Sequence, residues 1–98
     1  MQVPPRSVPL GGQRIRIRVN PDLESWGEYF HDKSELHLAP MALDTLKNMR
    51  ETLRHELMHA ALRIGGVAYS DSFQEEAVVR CMETLFFPCW DKLSPKLR

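Results

Sequence analysis

With 98 residues the chain can form one small domain around a single modest core. Its 13 lysines and arginines match its 13 aspartates and glutamates, and zero net charge speaks against a partner held by long-range charge, nucleic acid above all. No run nears the ~18 apolar residues of a membrane span and no apolar secretory signal opens the chain, so the expectation is a cytoplasmic protein with no membrane partner.

Residues 1–12 hold three prolines and the pair Gly11-Gly12, which suits an irregular arm before a domain spanning 13–90, with a tail over 91–98. Arg14 to Val19 alternates strictly, so Ile15, Ile17 and Val19 should face a core and Arg14, Arg16 and Arg18 the solvent. Asn20-Pro21-Asp22 reads as a turn, Trp26 to Phe30 as a second strand, and His31 to Ser34 as another turn. Glu35 to Ala39 alternates as a third strand, ended by Pro40, with His37 directed to solvent. From about Met41 to Ile64 the apolar residues Leu43, Leu46, Met49, Leu53, Leu57, Ala60, Ala61 and Ile64 recur at helical spacing, and Gly65-Gly66 stops the helix. A second helix runs from Phe73 to Phe87, closed by Pro88, with Cys81 on its apolar stripe as a small buried hydrophobe. Cys81 and Cys89 form no CxxC pair and read as reduced thiols. The expected fold is α+β, a small antiparallel sheet of about three strands packed on two helices.

His55-Glu56-Leu57-Met58-His59, inside the first helix, spells HExxH. Residues four apart share a helix face, so the two imidazoles can grip one zinc ion while Glu56 reaches its water. Composition alone gives this pattern in about one such chain in a hundred, so its surroundings decide. His55 and His59 fall beside the apolar stripe, with Asn48, Thr52 and Arg63, where a helix can line a cleft.

Such a site needs a third ligand and an open position for water. Glu75 and Glu76 stand at the start of the second helix. Glu75 borders the stripe of Val78, Met82, Leu85 and Phe86, whereas Glu76 points away with Arg80 and Glu83. Ser72 to Glu75 fits a capping box that would turn Glu75 back to the helix start, but Asp71 with Gln74 fits one that leaves it free. Glu75 is the preferred ligand and Glu76 the alternative.

The chain resembles a minimal gluzincin and is similar to the ImmA/IrrE family of small HExxH metallopeptidases common in phages and mobile elements. The likeness covers most of the chain after the arm. His55 to Ala60 fits the first motif, and Glu75 through Leu85-Phe86-Phe87-Pro88 fits the second in register, which again favours Glu75. Val79 stands where that family often has asparagine, and a thermolysin-like register on Glu76 finds Arg80 in place of an aspartate. The resemblance implies a zincin-like fold, a Zn2+ cofactor, hydrolysis of a protein or peptide substrate, and a bacterial or phage-infected cell. It also implies a regulatory partner on a separate chain.

On this reading zinc sits on His55, His59 and Glu75, and Glu56 is the general base. Tyr69 is the first candidate for stabilising the oxyanion, with Tyr29 and His31 behind it. Glu51 and Asp71 could orient the imidazoles, Thr52 could line the cleft, and strand Glu35 to Ala39 could pair with substrate. The main alternative is a zinc-binding interaction module without hydrolysis. A weaker one is a nucleic-acid-associated protein using the arginine row.

Overall fold

The computed structural model describes residues 1–66, 74–88 and 91. Among these, four strands form one sheet: β1 (Ser7–Leu10), β2 (Gln13–Val19), β3 (Gly27–Phe30) and β4 (Glu35–Leu38), in the order β1-β2-β4-β3. The α+β class holds, but the sheet is mixed rather than antiparallel and has a fourth strand. β1 pairs antiparallel with β2, and β3 antiparallel with β4, while β2 and β4 run parallel. The cause is that β3 folds against the far side of β4, leaving β4 free to lie beside β2.

The fourth strand comes from the proline-bearing arm. Gly11 and Gly12 adopt φ of 59° and 79°, a backbone that turns a tight hairpin and returns Ser7–Leu10 along β2. Pro9 is tolerated because β1 is an edge strand. Alternation along the inner strands buries Ile15, Ile17, Leu36 and Leu38, whereas Val19, expected inside, is 45% exposed at the end of β2.

Helix α1 (Leu46–Ile64) covers this apolar face. The helix expected from Met41 begins later, because Pro40–Leu43 forms a separate 3-10 turn and Thr45 caps α1. Its hydroxyl accepts a hydrogen bond from the Asn48 amide at 3.0 Å. Met49, Thr52, Glu56 and Ala60 form the buried ridge, and Leu46 from the expected stripe lies outside. At the other end the hairpin turn abuts the helix: a β-carbon on Gly11 would stand 2.9 Å from Cγ2 of Ile64.

Helix α2 (Glu75–Cys81) continues into a π-helical turn over Met82–Phe86. Val79 is the buried residue among the described ones of this stretch, while Leu85 and Phe86 are exposed. Cys81, expected inside, is also exposed, and Cys89 lies outside the described residues. No helix among the described residues is long and apolar enough to cross a membrane.

Candidate metal centre

One face of α1 meets the sheet and an adjacent face meets α2. Positions 52 and 56 fall on the first, and 55 and 59 on the second, because each pair is one turn apart. The Nε2 atoms of His55 and His59 lie 3.3 Å apart. Oε2 of Glu76 is 3.2 Å from Nε2 of His59, and Oε1 of Glu76 is 3.9 Å from Nε2 of His55. These three side chains form the metal-competent cluster found among the described residues.

The outer nitrogens are engaged too. Nδ1 of His55 lies 2.9 Å from each carboxylate oxygen of Glu83, and Nδ1 of His59 hydrogen-bonds Oε1 of Glu75. An ionised carboxylate only accepts, so in the neutral rings each Nδ1 carries the proton. Both Nε2 atoms then present lone pairs to the same point, an arrangement that a shared cation relieves. Two nitrogens bound at about 2.0–2.1 Å to a tetrahedral ion would stand about 3.3–3.4 Å apart. The observed separation and the donor set of two imidazoles and one carboxylate therefore fit zinc.

The structure thus brings Glu76, rather than Glu75, to the inner nitrogens. Glu75 instead grips His59 from behind and lies 3.5 Å from Nε of Arg63. Glu83, which the sequence reading left aside, does the same for His55. Its signal was present: Glu76 and Glu83 are seven residues apart, two helical turns, and so share a face. The Nδ1 atoms are taken by Glu83 and Glu75, while Glu51 lines the cleft beside His55, and Asp71 lies outside the described residues.

Glu56 is buried on the sheet side of α1, and its Oε2 is 3.9 Å from Nε2 of His55. Burial raises its pKa above the ordinary carboxylate value; the two histidines oppose this and Glu76 and Glu28 reinforce it. A cleft of about 340 Å³ opens beside it, lined by Ser25, Trp26, Gly27, Glu51, Thr52, His55, Glu56 and Glu83. Thr52 therefore lines the cleft, as expected.

The other candidates fall elsewhere. Tyr69 lies outside the described residues. Tyr29 and His31 hydrogen-bond each other at 2.9 Å, and neither lines the cleft. His37, expected in solvent, is 14% exposed and hydrogen-bonded to Glu35 and Asn20 on the opposite sheet face. β4, expected as the free edge, is paired on both sides, so its backbone groups are taken. The edge bordering the cleft is β3, through Gly27.

No protein family, functionally described protein or solved structure matches this chain. The functional reading rests on the site itself.

Proposed function

We propose that the protein is a zinc metallopeptidase in which His55, His59 and Glu76 hold the ion and Glu56 is the general base. The observation that carries this reading is the pair of Nε2 atoms 3.3 Å apart, each ring held from behind by a carboxylate. A zinc ion there supplies Lewis acidity, acidifying water and polarising a carbonyl. Glu56 takes a proton on its carboxylate as water attacks the peptide carbonyl, then delivers it to the departing amine. Its desolvated setting suits that exchange, because a raised pKa brings its proton affinity nearer to neutral pH. The free edge of β3 is where an extended substrate backbone can add as a strand, lying across the cleft.

The test is elemental mass spectrometry on protein purified without chelator or affinity metal, followed by a peptide-hydrolysis screen. About one zinc per chain is expected. Glu56→Gln should keep the metal and lose hydrolysis, whereas a purely structural zinc would leave Glu56→Gln with no phenotype. Protein that takes up no zinc when supplied with it would refute the proposal.

A further inference from the structure

The zero net charge of this chain averages two unlike faces. On the helix side, Glu51, Glu56, Glu76 and Glu83 gather around the cleft and the histidines. On the outer face of the sheet, Arg14, Arg16 and Arg18 stand in a row along β2, all exposed. The neighbouring β1 contributes no charged residue. Glu28, also on this side, belongs to β3, separated from the row by β4.

The carboxylate that meets the row is Glu35, itself 8% exposed. Its Oε2 accepts from Nη2 of Arg16 at 2.9 Å and lies 3.4 Å from Nε of Arg18. Its Oε1 accepts from Nε2 of His37 at 3.0 Å, and Nδ1 of His37 accepts from the Asn20 amide at 3.1 Å. Glu35 is thus fixed from below, and it engages one nitrogen of each guanidinium. A guanidinium carries five N–H donors, and the Arg16 and Arg18 side chains remain 60% and 54% exposed. A simple solvated face has no need of a buried network that pins like charges side by side.

We infer that this face binds the phosphate backbone of a nucleic acid. Alternate residues of a strand stand about 6.6–6.8 Å apart, and two steps of a nucleic-acid strand at about 3.4 Å cover the same distance. Guanidinium groups pair with phosphate oxygens through parallel hydrogen bonds. A protein partner would need an apolar anchor, yet the large apolar side chain on this face, Phe30 of β3, is only partly exposed, packed on His37 and covered by Lys33. The arginine row thus offers exposed charge with no exposed apolar anchor beside it, which fits a polyanion.

The experiment is fluorescence anisotropy of a labelled oligonucleotide, single-stranded or duplex, titrated with the full chain from about 50 to about 200 mM salt. With three phosphates engaged, the log binding constant for the single strand should fall with log salt at a slope of about −2. The triple variant Arg14→Gln/Arg16→Gln/Arg18→Gln should bind about tenfold or more weakly at low salt. Arg14→Gln alone, which leaves the Glu35 network intact, should flatten the slope by about 0.7, toward about −1.4, and serves if the triple variant fails to fold. Lys47→Gln/Arg50→Gln on α1 should change nothing, and zinc-free and zinc-loaded protein should bind alike. Absence of binding at the lowest salt, or undiminished binding by folded arginine variants, would overturn the inference. Tighter binding to polyglutamate than to the oligonucleotide would also overturn it, reassigning the face to an acidic protein.

Discussion

Gly27 lies so close to Thr52 that a β-carbon on it would stand 2.8 Å from the threonine Cγ2. The same carbon would meet Cγ of Glu56 at 3.1 Å and the carbonyl oxygen of His37 at 3.3 Å. The edge strand therefore touches the HExxH helix at the turn that carries the proposed base. Gly27→Ala should push β3 away, at a cost of about 1–3 kcal/mol in stability. Zinc stoichiometry should stay unchanged, while hydrolysis falls by more than the loss of folded protein explains. Removing the opposing methyl with Thr52→Ser should restore part of the rate. A Gly27→Ala enzyme with wild-type turnover would show that the edge strand takes no part.

The three glutamates around the histidines should separate by their effect on the ion. Glu76→Ala should abolish tight zinc binding, read by competition with a chromophoric chelator. Glu75→Ala and Glu83→Gln should instead weaken it about 10–100-fold, the usual loss when an orienting partner of a ligand histidine is removed. If Glu75→Ala proves the more damaging and Glu76→Ala is tolerated, the ligand assignment reverses.

Zinc removal should loosen α2 before it unfolds the sheet. Val79 is the side chain this helix buries, and its segment is otherwise tied to α1 by the imidazole–carboxylate contacts, the Arg63–Glu75 pair and Arg54 over the Phe87 ring. Chelation should speed amide hydrogen exchange over residues 75–88 and leave β2 and β4 protected. Equal protection with and without metal would rule out this coupling.

Acid stability should depend on Glu35. The hydrogen bond from His37 holds its carboxyl below the ordinary value of 4.5; burial opposes this and Arg18 and Arg16 reinforce it. A depressed pKa adds stability above the ordinary carboxylate range, and that share is lost as pH falls through the folded-state value. Glu35→Gln should therefore lower Tm near neutrality and flatten its decline on acidification below about pH 4.5. Glu56, whose pKa is raised, acts with the opposite sign. An unchanged acid limb in Glu35→Gln would assign the acid sensitivity to other groups.

The inner strands and the motif helix were legible because each obeys a short repeat: two residues in β2 and β4, and four between His55 and His59. β1 was hidden by Pro9 and the prolines just before it; the cost of Pro9 vanishes on a sheet edge. The parallel pairing of β2 with β4 depends on which side β3 folds to, a long-range choice that no local repeat encodes. The position of Glu76 was hidden for a different reason. The helical wheel took the apolar stripe of α2 as the inward side, yet Leu85 and Phe86 of that stripe are exposed. The side that meets α1 carries Glu75, Glu76 and Glu83, whose carboxylates reach the two imidazoles.

Gly11 seated on Ile64 gives the N-terminal hairpin a part in fixing where α1 ends. The loop is a doorstop for the last turn of α1, one turn beyond His59. Any side chain larger than hydrogen on that doorstop would have to shift Ile64 or swing the hairpin off the helix. Hairpin and helix end thus meet as closely as they do because a single methyl group is absent.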